Sequence, residues 1–159
     1  MRPSMAALVL VAAAAPALVQ AQGLTRPTLA LTQAGAEAAL RSAERLSTQA
    51  GDPAAIAVVN ADGRLLAFLS MDGVRPGSAD LAIGKARAAA LMQRPTEELE
   101  ANVAAGRVAL ATSGLTALRG GAPLKVDGVV VGAVGVAGTR KEDDAKTAAA
   151  VSASFGTTP

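Results

Sequence analysis

Aromatic residues are almost absent from this chain, and their absence limits the core it can form more than any other feature. The 159 residues include two Phe, no Tyr and no Trp, although 51% of them are hydrophobic. The core must therefore consist mainly of Ala, Val and Leu, whose small side chains bring packed elements close together. The length suits one domain of about 100–200 residues. We expect a thin, closely packed core.

The missing residue types also exclude several kinds of chemistry. The chain has no Cys, which excludes disulfides, thiolate nucleophiles and zinc–sulfur sites. It has no His, which excludes Ser-His-Asp catalysis and the commonest haem ligand. The net charge of +2 and the lack of stacking aromatics argue against a nucleic-acid partner.

The first 21 residues have the pattern of a secretory signal peptide. Arg2 precedes an uncharged run from Ala6 to Val19, and Val19-Gln20-Ala21 forms a small-x-small cleavage site. A retained amphipathic helix is the alternative. We expect residues 1–21 to be a signal peptide and residues 22–159 to be a single domain without a membrane span. The mature protein would be periplasmic or secreted.

The mature chain reads as an α+β domain with an antiparallel sheet, because its strands are joined by hairpins rather than alternating with helices. Thr32 is placed to cap the first helix, Ser78 the second and Thr96 the third. Two Asp-Gly pairs mark tight hairpin turns. The expected helices cover residues 33–50, 79–92, 97–104 and 141–155, and the expected strands cover 55–60, 64–71, 109–112 and 129–136.

Several motifs, taken in order, resemble the GlcG/HbpS family of haem-binding and haem-degrading proteins. They are Ile56-Ala57-Val58-Val59 with Asp62-Gly63, Met71-Asp72-Gly73, the segment Ala82–Ala89, the segment Gly120–Gly138 and Glu142-Asp143-Asp144. The resemblance covers Leu29 to Ser154. It implies a profilin-like fold, with a five-stranded antiparallel sheet flanked by helices, and a homo-oligomer. It also implies binding of haem or a related tetrapyrrole, with iron binding or haem breakdown in some members.

The residues themselves offer few ligands for haem iron. Haem iron is usually held by His, Cys, Met or Tyr, and only Met71 and Met92 of these types occur in the mature chain. A Met on an apolar face commonly fills gaps in a core. If haem is the cofactor, we expect a pocket-dominated site with weak or oxygen ligation.

The candidate ligand site combines cations with glycine-rich backbone. Arg119 precedes Gly120, Gly121 and Pro123, so a guanidinium would lie beside backbone that a ligand can approach closely. The loop with Met71 and Arg75 follows a strand, and Lys85 can reach from an alanine-rich helix toward an anionic ligand. The structural alternatives are a tight connection into a strand, a plain loop and a solvated helix face.

Glu97 and Glu100 are the candidate metal ligands. They lie three residues apart on one helix face, and hard cations such as iron prefer oxygen ligands. The alternative is that acidic residues stabilise the first turn of a helix.

Three functions therefore remain open, and no catalytic residue is identified. The first is an exported, oligomeric protein that binds haem or a related anionic small molecule. The second is a periplasmic enzyme or accessory factor acting on a small hydroxy or oxo acid. The third is a structural or sensory partner protein. Nucleophilic catalysis is not supported, because Ser113 has no base beside it in the sequence.

Overall fold

A computed structural model describes residues 26–156 of the chain, so the expected signal peptide at residues 1–21 lies outside the described residues. The helices are α1 (Gln33–Gln49), α2 (Ser78–Met92), α3 (Thr96–Ala104) and α4 (Lys141–Ser154). The strands are β1 (Ala55–Asn60), β2 (Leu65–Ser70), β3 (Gly121–Val126) and β4 (Val129–Ala137). None of the helices described has the length and apolar character that a membrane crossing requires.

The expected α+β architecture is confirmed, but the sheet has four strands rather than five. The strand order is β2-β1-β4-β3, and every neighbouring pair is antiparallel. The expected strand at 109–112 is instead part of a 3₁₀ helix at Val108–Thr112. Its hydrogen bonds are local: the Thr112 hydroxyl donates to the Ala109 carbonyl and the Ser113 hydroxyl to the Leu110 carbonyl.

Helices cover both faces of the sheet. On one face, α1 and α4 pack against side chains that include Ile56, Val58 and Val134. On the other face, α2 packs through alanines such as Ala82 and Ala86. A Cβ added to Gly135 of β4 would clash with the backbone carbonyl of Ala82 and lie 2.6 Å from the Ala86 nitrogen. The α2 backbone therefore lies directly against the sheet, as the small-residue composition predicts.

The two edges of the sheet differ. Edge strand β3 contains Pro123, whose carbonyl accepts a 2.5 Å hydrogen bond from the Ser152 hydroxyl. Edge strand β2 has no charged residue, and Leu65, Leu66 and Phe68 are exposed on it. An uncharged, apolar edge is a template for pairing with another chain.

The predicted helix caps are confirmed in part. Thr32 caps α1, because its side chain accepts a hydrogen bond from the Gly35 amide. Ser78 and Thr96 are instead the first residues of α2 and α3 and make no capping bond. The Thr96 hydroxyl accepts a 2.8 Å hydrogen bond from the Gly121 amide, so it ties α3 to the start of β3.

Candidate functional site

A cleft of about 510 Å³ lies where β4 leads into α4. Its size falls within the usual range of about 300–1,000 Å³ for small-molecule sites. Leu81 and Leu118 supply apolar surface, while Arg75, Lys85 and Arg119 supply positive charge. The other lining residues are Glu100, Ala137, Gly138, Thr139, Arg140, Lys141, Glu142 and Asp144. The cleft thus combines apolar walls with cations, which suits an anionic ligand with an apolar body.

Lys85 and Asp144 form a buried ion pair in the wall of this cleft. The Lys85 Nζ lies 2.9 Å from the Asp144 Oδ2, and both side chains are 5% exposed. The same ammonium donates a 2.8 Å hydrogen bond to the Val136 carbonyl. Because α2 and α4 lie on opposite faces of the sheet, this pair joins the two faces at the end of β4.

The two glycines before β3 make room for this arrangement. A Cβ on Gly120 would lie 3.0 Å from the Lys85 Nζ and 2.9 Å from the Asp144 Cβ. A Cβ on Gly121 would clash with the Lys85 carbonyl and lie 2.8 Å from the Thr96 Cγ2. Gly120 also has a φ of 111°, which side-chain-bearing residues rarely adopt. The glycine pair therefore lets the chain pass close to α2 and the buried ion pair.

Asp144 and Asp52 hold the chain between β4 and α4 from two sides. The Asp144 Oδ1 accepts a 2.6 Å hydrogen bond from the Gly138 amide. Burial raises the pKa of the Asp144 carboxyl above its ordinary value, although the bond and charge of Lys85 act in the opposite direction. Asp52 accepts hydrogen bonds from the Thr139 hydroxyl and from the amides of Thr139 and Arg140. Burial alone would raise the pKa of Asp52, but these bonds together lower it.

Arg119 lies among three carboxylates and is oriented by one of them. Its Nε donates to Glu100, while its Nη1 lies 3.7 Å from Glu97 and 4.0 Å from Glu142. The last two distances are too long for hydrogen bonds. Glu100 therefore holds the guanidinium through Nε, while Glu97 and Glu142 lie within ion-pair distance of Nη1.

The structure brings some of the predicted site residues together and separates others. Arg75, Lys85 and Arg119 line the cleft of about 510 Å³ at the start of α4, which we call the main cleft. The Arg75 Nη2 donates a 3.0 Å hydrogen bond to the Gly138 carbonyl. Gly120 and Gly121 line a neighbouring cleft of about 240 Å³. Pro123 lies in β3, and Met71 packs against the α1/α4 core, where its sulfur accepts a hydrogen bond from the Ala54 amide.

The predicted metal ligands Glu97 and Glu100 face Arg119. Glu97 lines the smaller cleft and Glu100 the main one. Within residues 26–156, no group of three or more His, Cys, Asp or Glu side chains is placed to hold a metal ion. Both carboxylates lie within ion-pair distance of the Arg119 guanidinium.

The sequence interpretation missed Asp144 as a site residue. Glu142-Asp143-Asp144 served as one motif of the family resemblance, and all three residues lie in the first turn of α4. Asp144 meets a lysine 59 residues earlier in the chain. No local pattern marks that contact, although an acidic residue buried in an otherwise alanine-rich helix is unusual without a partner.

Comparisons with known proteins agree with this fold. A family model described as "Haem degrading protein HbpS-like" matches residues 31–153. Protein GlcG of Escherichia coli is 40% identical over 107 residues, which cover 67% of this chain and 80% of GlcG.

Three solved structures are also similar. Klebsiella pneumoniae protein ORFY has a TM-score of 0.78 and 25% identity, with 86% of this chain and 97% of ORFY covered. A double mutant of Streptomyces reticuli HbpS has a TM-score of 0.76 and 34% identity, with coverages of 91% and 99%. PduOC in complex with haem has a TM-score of 0.71 and 26% identity, with coverages of 80% and 96%. Since the family model matches most of the chain and GlcG shares 40% of the aligned residues, this protein belongs to the HbpS-like family.

Proposed function

We propose that the protein binds haem or a related anionic, largely apolar small molecule in the cleft at the start of α4. The observation that carries the proposal is a cleft lined both by Arg119 and by the apolar side chains of Leu81 and Leu118. A guanidinium binds carboxylates through paired N–H groups. The HbpS-like family and the haem complex of the similar protein PduOC add support.

The residues of the cleft fit one end of a haem and not the other. Arg75, Arg119 and Lys141 suit the two propionates. The usual iron ligands are His, Cys, Met and Tyr, and the cleft is lined by none of them. Met71 packs on the core, and Met92 lies at the end of α2. Binding would therefore depend on the carboxylates and the apolar body of the ligand, with no iron ligand of the usual kind from this cleft.

A titration with matched porphyrins tests this proposal. The full chain is titrated with haemin, with metal-free protoporphyrin and with the dimethyl ester of that protoporphyrin, and absorbance is followed. We expect haemin and the free porphyrin to saturate with similar affinities and the ester to bind more weakly, because its carboxylates are blocked. A flat response to both acids would refute the proposal. Strong binding of haemin alone would show that iron ligation dominates.

We also propose export and self-association. The uncharged run from Ala6 to Val19 supports a cleaved leader, and hence a periplasmic or secreted protein. The exposed apolar residues of edge strand β2 support a homo-oligomer. Mass spectrometry of the exported protein should give a chain beginning at Gln22, and its mass in solution should exceed that of one chain. An intact Met1, or a monomer, would contradict the respective proposal.

The second candidate function is an enzyme or accessory factor acting on a small hydroxy or oxo acid. The specific observation in its favour is the buried Lys85–Asp144 pair in the wall of the cleft. Binding of a porphyrin does not require such a pair.

A further inference from the structure

Lys85 differs from the three other lysines of the chain. Lys125, Lys141 and Lys146 are exposed, whereas Lys85 is buried and its side chain lines the main cleft. A buried primary amine in the wall of a cleft is a potential nucleophile toward carbonyl compounds. The proposed binding of porphyrins uses Lys85 at most as a positive charge and not as an amine that reacts.

Two of the three N–H groups of the Lys85 ammonium have partners among the described residues. An ammonium carries three N–H donors, and the structure assigns two of them to Asp144 and the Val136 carbonyl. Because residue 120 is a glycine, no side chain from it covers Nζ, which a Cβ there would approach to 3.0 Å. Within the described residues no partner takes the third donor, and Lys85 lines the cleft.

Asp144 is placed to exchange a proton with Lys85. Its Oδ2 lies 2.9 Å from Nζ, a distance at which a proton passes directly between the two atoms. Burial raises the pKa of this carboxyl, so its protonated form costs less than that of an exposed aspartate. The Gly138 amide holds the other carboxylate oxygen and keeps the group in place.

The cleft also offers cations for a carboxylate next to a carbonyl group. Arg119 directly precedes Gly120 in the chain and lines the same cleft as Lys85. Arg75 lines the same cleft. A 2-oxo acid carries its carbonyl carbon on the atom next to its carboxylate. When a guanidinium holds the carboxylate, the carbonyl carbon is brought toward the amine.

We infer that Lys85 forms a reversible imine with a small 2-oxo acid bound in this cleft. Lys85 passes a proton to Asp144, and the free amine adds to the carbonyl carbon to give a carbinolamine. The C–O bond then breaks, the carbinolamine hydroxyl leaves as water with the proton from Asp144, and a protonated imine remains. One ammonium and one carbonyl give one iminium and one water, so charge and atoms balance. The inference rests on the cleft being a ligand site, but not on haem being its ligand.

Reductive trapping tests the inference on the full chain. The protein is incubated with pyruvate and cyanoborohydride, which reduces an imine to a stable amine, and each lysine is then followed by peptide mass spectrometry. Acetone is the matched control, since it has the same carbonyl without the carboxylate. Pyruvate is intrinsically more reactive than acetone, so the exposed lysines give the reference ratio. We expect pyruvate to label Lys85 first, and the ratio of pyruvate to acetone labelling to be about tenfold higher at Lys85 than at the exposed lysines, the factor that one charge-assisted hydrogen bond gives.

An unfolded-chain control and two variants show whether the label is specific to Lys85. The chain unfolded in urea should label all four lysines alike, which shows that every peptide is detected. Lys85→Arg should lose the early label, while Lys125→Arg, at an exposed position in β3 away from the cleft, keeps it. Labelling confined to the exposed lysines, no labelling of the folded chain, or a ratio of pyruvate to acetone labelling no higher at Lys85 than at the exposed lysines would each overturn the inference. Trapping is measured without porphyrin, so these outcomes are independent of the haemin titration.

Discussion

Replacing Lys85 with methionine removes the positive charge that faces Asp144 and keeps a side chain of similar length. The Asp144 carboxylate would stay buried with the Gly138 amide as its remaining hydrogen-bond partner. The Val136 carbonyl would also lose the hydrogen bond that Lys85 donates. The variant therefore tests whether the ion pair between α2 and α4 supports the fold.

The expected loss of stability is large at neutral pH. Removing one partner of a buried ion pair costs about 3–5 kcal/mol, mainly because the other charge is left without compensation. Asp144 keeps one short hydrogen bond, so we expect Lys85→Met to lower the free energy of unfolding by about 3 kcal/mol at pH 7. Lys85→Met combined with Asp144→Asn removes both charges and keeps an acceptor for Gly138. This double variant should recover about 2 kcal/mol of that loss.

The loss should also depend on pH in a defined direction. The pKa of Asp144 is already raised by burial, and removing Lys85 raises it further, since Lys85 lowers it. A carboxyl whose pKa is higher in the folded state contributes stability at low pH, and that contribution is lost as pH rises through the folded pKa. The deficit of Lys85→Met is therefore larger at neutral pH and shrinks as pH falls toward the ordinary value of 3.8, where the part due to the lost Val136 hydrogen bond remains.

Urea unfolding followed by far-ultraviolet circular dichroism measures this deficit, because the chain has no Trp or Tyr for fluorescence. The wild type, Lys85→Met and the double variant are compared at pH 7 and near the ordinary value of 3.8. A deficit below about 1 kcal/mol at pH 7 would mean that the pair is solvated. A deficit that is the same at both pH values would show that Asp144 does not carry the uncompensated charge.

Three other measurements test separate features. Gly135→Ala should lower the free energy of unfolding in urea by about 3 kcal/mol or more, because the added methyl meets the α2 backbone. Gly77→Ala is the control: the space around Gly77 is open, so the loss should be less than about 1 kcal/mol. The pKa of Asp52 is lowered, so its contribution is present above the ordinary value of 3.8 and is lost as pH falls through the folded pKa. The stability difference between wild type and Asp52→Asn should therefore shrink as pH falls below that value, and a difference that stays constant would argue against the three hydrogen bonds. Arg119→Ala should weaken ligand binding by about 1.5–3 kcal/mol, while unchanged affinity would remove Arg119 from the site.

The elements that depend on local sequence were predicted well. Strand β1 has the expected bounds, and Asp62-Gly63 and Asp127-Gly128 form the two hairpin turns, where Gly63 has a φ of 76° and Gly128 a φ of 79°. Alanines on one helical face predicted α1, and Ala36, Ala39 and Ala43 are buried there. These signals lie within a few residues of the structure that they specify.

The features that were predicted poorly depend on distant contacts. The apolar run at residues 109–112 is too short for its composition to separate a strand from a 3₁₀ helix. Gly120 and Gly121 were proposed as backbone open to a ligand, and the structure adds a packing role that the sequence did not indicate, because a side chain at either position would meet Lys85. The partnership of Lys85 with Asp144 spans 59 residues and leaves no local pattern. The cations of the site could be proposed from the sequence, whereas their counter-charges could not.

The alanine packing of α2 has a consequence for how the cleft responds to its contents. Alanine and glycine have no side-chain rotamers, so the contact of Ala82 and Ala86 with Gly135 offers no alternative side-chain arrangement. A core of larger residues adjusts to strain by changing rotamers, but this interface can respond only through movement of the whole helix. Leu81 and Lys85 are carried by that helix, so the wall of the cleft that they form is set by the position of the α2 backbone. A ligand must fit this wall as it stands, which favours selection by size and shape over adaptation.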